Sequence, residues 1–110
     1  MNSSYDSHPL EITLGEYLAA WRGKPVQVLD VREPDEWDAG HMAGALLAPL
    51  GELEGRLGAL DPAAPTVVVC RSGQRSLTAA DRLAQRGFAT VRSLAGGLLA
   101  WTEAGLPLER

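Results

Sequence analysis

Cys70 is the single cysteine of this 110-residue chain, and it stands where a strand pattern gives way to a helix pattern. Ahead of it runs Thr66-Val67-Val68-Val69. Behind it come Arg71-Ser72-Gly73-Gln74-Arg75-Ser76, then Leu77, Ala80, Leu83 and Ala84 at helical spacing. Strand, short loop and helix in that order let successive loop N–H groups, and the unpaired ones of the helix start, converge on one point. Those dipoles, with Arg71 and Arg75, stabilise a sulfur placed there as thiolate, the nucleophilic form of cysteine. Packing habits alone favour a buried structural thiol, but such a thiol has no use for a cationic, glycine-containing loop after it. Cys70 therefore reads as a catalytic nucleophile, with Arg71, Ser72, Gly73, Gln74, Arg75 and Ser76 as the loop that would hold its substrate.

Charge is distributed unevenly along the chain. Between Asp30 and Asp61 eight acidic residues face only Arg32 and Arg56, whereas five arginines between Arg71 and Arg92 face Asp81 alone. Arg82 and Arg86, spaced i,i+4, suit a solvated helix face. Arg71 and Arg75 differ because the loop holds them beside the thiol, and a small anionic substrate is the natural guest of such a pocket.

The elements that must position this loop follow from periodicity and punctuation. Residues 1–9 read as a polar tail ending at Pro9, and 10–110 as one domain. Thr13-Leu14-Gly15-Glu16 has capping-box spacing, and Leu14, Tyr17, Leu18 and Trp21 continue a helix that Gly23-Lys24-Pro25 breaks. Strands are expected at Val26–Val31, Ala45–Ala48, Thr66–Val69 and Ala89–Leu94. Helices are expected from Pro34 to Gly40, along Leu50, Leu53, Leu57 and Leu60, from about Ser76 to Arg86, and from Gly96 to Ala104. Alternating strands and helices imply an α/β domain whose mostly parallel sheet is covered on both faces. Ligands of such sheets bind beyond the carboxyl ends of the strands, where Asp30-Val31-Arg32 and Cys70-Arg71 fall.

Composition narrows the classes further. One domain is expected at this length, with 45% hydrophobic and 22% charged residues. A single cysteine excludes an internal disulfide, a C-x-x-C pair and a cysteine-rich zinc site. With only His8 and His41 besides, neither a metal nor another cofactor is expected. Net charge −4 argues against nucleic acid as partner. No apolar run approaches the ~20 residues of a membrane span, and Met1–His8 has no basic n-region or apolar core of a secretory signal. The expected setting is the cytoplasm, where a lone thiol stays reduced, and the expected state is a monomer.

Four segments in order resemble the single-domain rhodaneses, the thiosulfate sulfurtransferase family. They are Val28-Leu29-Asp30-Val31-Arg32-Glu33-Pro34-Asp35-Glu36-Trp37, then Ala39-Gly40-His41-Met42-Ala43-Gly44-Ala45 with Met42 and Ala43 in place of Ile and Pro, then Thr66 to Ser76, and last Gly96-Gly97-Leu98-Leu99-Ala100-Trp101 with Gly105-Leu106-Pro107. The similarity runs from about residue 11 to 108. It implies a small α/β domain with a five-stranded sheet, and covalent sulfur transfer. Thiolate Cys70 would take the outer sulfur of thiosulfate or a similar small anionic donor and hold it as a persulfide. It would then pass that sulfur to cyanide, a thiol or a protein acceptor. Loop amides from Arg71 to Ser76 would stabilise both forms of the sulfur, and Arg71 and Arg75 would bind the donor. No separate base is needed.

The spacing Cys70 to Arg75 is the six-residue loop that the resemblance associates with sulfurtransferases. Phosphatase and arsenate reductase relatives carry one residue more, and Ser76 stands where they have arginine. A non-catalytic interaction or sulfur-carrier module is the other alternative, although inactive relatives generally lack the cysteine that is present here. Asp30 and Arg32 could support the pocket from the next strand. Asp30 is expected to serve as a hydrogen-bonded buried or capping group, and Arg32 to pair with Glu33 or Glu36. His41 is expected to fix a turn, and Trp37 and Trp101 to be core or near-core aromatics. Gly96-Gly97 is too short and misplaced for a phosphate loop.

Overall fold

A computed structural model describes residues 8–110; residues 1–7, most of the stretch read as a polar tail, lie outside the described residues. Five strands form one sheet: β1 (Glu11–Ile12), β2 (Gln27–Asp30), β3 (Leu46–Leu47), β4 (Thr66–Val69) and β5 (Val91–Leu94). Their order is β1-β5-β4-β2-β3, and every strand pair is parallel. The expected α/β class and five-stranded sheet are both present. Only four strands were legible beforehand, because β1 has two residues and no room for an alternating pattern.

Central β4 is buried along its whole length, as its unbroken β-branched run requires. Successive side chains of a strand point to opposite faces, so the sheet carries two cores. Val68 and Cys70 lie with Leu29, Val31, Ala79, Ala80 and Leu83 under α3 (Gln74–Gln85). Val67 and Val69 pack with Tyr17, Leu94, Leu98 and Trp101 on the other face, under α1 (Leu14–Glu16) and α4 (Gly97–Glu103). A fully buried aliphatic side chain such as Leu83 contributes ~1.5–3 kcal/mol, so α3 is held firmly over the Cys70 face.

Two expected helices wind differently. Thr13 and Glu16 form the capping box as expected, but the turn after α1, Tyr17–Trp21, is π-helical. The segment Leu50–Ala59 is a 3-10 helix with Leu53 buried. Glycines at 51, 55 and 58 weaken the α-helical preference there. The helix α2 (Pro34–Ala39) begins with proline in its first turn and is closed by Gly40, as read from sequence. Among the described residues no helix is long and apolar enough to cross a membrane.

The chain runs β2 to β3 toward one edge and returns to place β4 on the other side of β2. In sheets of this kind ligands bind beyond the carboxyl ends of the strands at such a reversal, here between β2 and β4.

Candidate active site

Cys70 follows the last residue of β4, at the point where the strand order reverses, and is 1% exposed. Its Sγ receives the backbone N–H of Gly73 at 3.1 Å and that of Ser76 at 3.3 Å. The loop can curl so tightly because Gly73 has φ +108°, a conformation that favours glycine. From that turn α3 starts at Gln74, two residues earlier than its apolar spacing indicates, so the loop runs straight into the helix. The sequence expectation that all amides from Arg71 to Ser76 address the sulfur is thus narrowed to two. The rest of the loop cannot aim at Sγ while its backbone is turning into α3. N–H···S bonds of this kind favour negative charge on the sulfur.

Ser76 adds its hydroxyl at 3.4 Å from Sγ, and a second buried hydroxyl, Ser93 of β5, lies 2.7 Å behind it. Both serines are fully buried. Ser93 was not singled out from sequence. The available signal is a hydroxyl two residues from Val91 on a strand whose covered face is otherwise apolar.

The loop is fastened from the opposite face by α4. Leu98 N–H donates to the Cys70 carbonyl at 2.9 Å and Leu99 N–H to the Arg71 carbonyl at 3.0 Å. Gly97 allows this approach: a Cβ there would lie 2.5 Å from both carbonyl oxygens, and its φ is +56°. The Gly96-Gly97 doublet therefore serves as a seat for the cysteine loop.

The two loop arginines part company. Arg71 and Ser72 are exposed, and Arg71 forms no ion pair among the described residues. Arg75 instead makes a two-pronged pair with Glu36 of α2, at 2.7 and 2.9 Å. Hydrogen bonding from Arg75, opposed by partial burial, holds the Glu36 carboxyl down at about 2. Glu36 likewise raises Arg75 above its ordinary value, with a smaller contribution from charge on Cys70. Gln74 is exposed at the start of α3.

Asp30 and Arg32 pair with each other, which corrects the expectation that Arg32 meets Glu33 or Glu36. Arg32 Nη2 donates to Asp30 Oδ2 at 2.8 Å and to the Gly40 carbonyl at 2.7 Å, while Asp30 Oδ1 also accepts the Arg32 N–H at 3.0 Å. The reason is burial: Asp30 is 0% exposed at the end of β2, and an ionised carboxylate there requires a partner within reach. The pair ties β2 to the end of α2, the helix that carries Glu36. His41 does stand at a turn, stacked on Trp37 with ring centroids 3.7 Å apart and bridged through its backbone to Glu109. Trp101 is buried as expected, and Trp37 is half-buried.

Among the described residues no group of three His, Cys, Asp or Glu side chains is placed to hold a metal ion. Surface hollows beside Trp21, Pro25 and Pro65 lie at the amino ends of the strands, away from the cysteine loop.

The rhodanese-like domain family matches residues 13–104. The Shewanella oneidensis protein named thiosulfate sulfurtransferase GlpE is 36% identical over 93 residues, which cover 84% of this chain and 92% of that protein. The Bacillus subtilis protein YrkF, whose name proposes a sulfur carrier role, is 36% identical over 77 residues; the match spans 70% of this chain but only 42% of that longer protein. Among solved structures, a rhodanese-related protein from Thermoplasma volcanium superposes with a TM-score of 0.81 at 31% identity, covering 90% of this chain and 96% of that one. With a cysteine at the end of a central parallel strand and a family match over most of its length, the chain belongs to the rhodanese-like family of sulfurtransferase domains.

Proposed function

We propose that this chain moves a sulfane sulfur from thiosulfate, or a similar small anionic donor, to cyanide or a thiol through a persulfide on Cys70. The observation that carries the reading is the pair of N–H groups, from Gly73 and Ser76, directed at a sulfur that closes the central strand. In the first displacement the Cys70 thiolate attacks the outer sulfur of thiosulfate. A new S–S bond forms, the S–SO3 bond breaks, and sulfite leaves with the electron pair. In the second, the acceptor attacks the outer sulfur and Cys70 departs as thiolate. Dividing one transfer into two displacements is covalent catalysis.

Arg71 is the cation assigned to the donor's anionic end, because Arg75 is already neutralised by Glu36. Arg75 shapes the loop from its far end, with Asp30 and Arg32 bracing the helix that carries Glu36. The six-residue span Cys70–Arg75 favours a sulfur atom over a phosphoryl group. The Shewanella relative's name supports thiosulfate as donor, and the cytoplasm is the setting that keeps the thiol reduced. The name of the Bacillus relative favours a second reading, in which the same persulfide is passed to a protein acceptor.

Intact-mass measurement before and after thiosulfate tests the chemistry. Wild type is expected to gain one sulfur and lose it on adding cyanide, while Cys70→Ser gains none. Sulfur retained by Cys70→Ser would overturn the assignment. A persulfide that resists cyanide yet discharges to a protein thiol would select the second reading.

A further inference from the structure

Ser93 is 17 residues from Ser76 in sequence, on a different element, and both are wholly buried beneath the cysteine. Four groups form a chain: Cys70 Sγ, Ser76 Oγ at 3.4 Å, Ser93 Oγ 2.7 Å further, and the Gly73 carbonyl 3.4 Å beyond Ser93. We propose that Ser93 is a positioning residue that turns the Ser76 hydroxyl toward the sulfur whenever the sulfur carries negative charge.

Proton counting sets the direction of the chain. Each hydroxyl has one hydrogen to give, and a carbonyl can only accept. With Cys70 protonated, S–H donates to Ser76, Ser76 to Ser93, and Ser93 to the Gly73 carbonyl. When the thiol loses its proton to solvent, Sγ becomes an acceptor and the order reverses: Ser93 donates to Ser76, and Ser76 to Sγ. The 2.7 Å bond is kept in both directions. Only the long bond to Gly73 is given up, so reversal costs little. Hydrogen bonds in series reinforce each other.

The inference rests in part on the sulfur-transfer reading and makes it more specific. In the persulfide the inner Sγ is divalent and the charge sits on the outer sulfur. Charge returns to Sγ as the acceptor removes that outer sulfur. Ser93 therefore acts when the thiolate attacks and when it departs. It meets Sγ through the Ser76 hydroxyl and is wholly buried, so it acts without touching the donor. Its loss slows the chemical steps and leaves the donor KM unchanged.

Two readouts on wild type, Ser76→Ala, Ser93→Ala and the double variant test this. The first is the rate of Cys70 alkylation by iodoacetamide across pH. The second is single-turnover discharge of the persulfide to cyanide. Ser93→Ala should slow both about fivefold at neutral pH, because a Ser76 hydroxyl that no longer accepts from Ser93 donates more weakly to the charged sulfur. It should also move the alkylation profile to higher pH. In the Ser76→Ala background the same change should cost less than twofold, because the connecting hydroxyl is gone. Arg71, Arg75 with Glu36, and the Asp30–Arg32 pair are the other charges around the loop, and they are the same in every variant.

Should Ser93→Ala fail to fold, the isosteric pair Ser93→Thr and Ser93→Val carries the test. Thr keeps the wild-type rate, and Val shows the fivefold loss. Equal cost in both Ser76 backgrounds, or no cost in wild type, would overturn the proposal. Alkylation needs no sulfur donor, so it decides the role of Ser93 even if wild type forms no persulfide.

Discussion

Replacing Gly97 by alanine probes how the cysteine loop is held. Two penalties combine at this position. The first is conformational: φ +56° costs a residue with a Cβ about 1 kcal/mol. The second is steric, since the new Cβ would sit 2.5 Å from the Cys70 and Arg71 carbonyl oxygens. Those oxygens must retreat, and retreat stretches the bonds they accept from Leu98 and Leu99, at about 1 kcal/mol each. The sum is about 3 kcal/mol. Gly105 supplies the control, because its φ of +78° carries the same conformational penalty with no atom within 4 Å of the added Cβ. At the unfolding entropy typical of this chain length, 1 kcal/mol corresponds to about 4 °C in Tm. Gly97→Ala should therefore melt about 12 °C below wild type, and Gly105→Ala about 4 °C below. The functional difference should be larger. Displacing the loop re-aims the Gly73 and Ser76 N–H groups, and misplacement by about 1 Å can cost a hundredfold in rate. Thermal melts followed by circular dichroism and thiosulfate:cyanide kinetics read the two effects separately. Equal Tm and equal kcat/KM in the two variants would show that the loop is not seated on Gly97 and refute the reasoning.

Four further outcomes are expected. Arg71→Ala should lower kcat/KM for thiosulfate about tenfold, a loss of ~1.4 kcal/mol in transition-state binding. Arg75→Ala should act mainly through stability, and equal losses of donor affinity in the two variants would contradict the division between them. Glu36→Gln should remove a pH-dependent contribution. The folded-state carboxyl is depressed to about 2, so the stabilisation is present above the unfolded value near 4.5 and fades as pH falls toward 2. With side chains 35% and 26% exposed, solvent screening limits it to about 1 kcal/mol. The Tm gap between wild type and Glu36→Gln should close between pH 5 and 2, and a gap constant with pH would refute the pairing. Asp30→Ala leaves the buried Arg32 guanidinium without its counter-ion and should cost ~3–5 kcal/mol, measured by urea unfolding. A change below 1 kcal/mol would show that the pair is not buried as described.

Patterns carried within short stretches were legible beforehand. The β-branched run before Cys70 reads as a buried strand, the polar glycine-containing stretch after it as a loop, and the spacing of Ala80, Leu83 and Ala84 as a helix. These choices are local, set by side-chain period and backbone preference, and they placed the thiol at a strand's carboxyl end. The capping box at Thr13, Pro34 at the start of α2 and the closing Gly40 were legible for the same reason. Where local signals were weak, expectation and structure part. Two-residue β1 has no period to detect, and a leucine spacing interrupted by glycines is satisfied by 3-10 winding as well as by an α-helix.

Pairing between distant residues was decided only in three dimensions. Arg32 had acidic neighbours on either side in sequence, and burial of Asp30 selected one of them. Arg75 met Glu36 because β2 lies beside β4, which brings α2 against the loop. That pairing left Arg71 as the loop arginine without an ion pair among the described residues. The same sheet order set Ser93 behind Ser76, and the packing of α4 against the loop required the absence of a Cβ at Gly97. Sequence by itself determined the strand, the loop and the place of the thiol between them, since each depends on residues a few positions apart. Tertiary structure decided which charges are neutralised, which hydroxyl stands behind the sulfur and what seats the loop. Those outcomes depend on ångström-scale distances between elements, which no periodicity within a single element encodes.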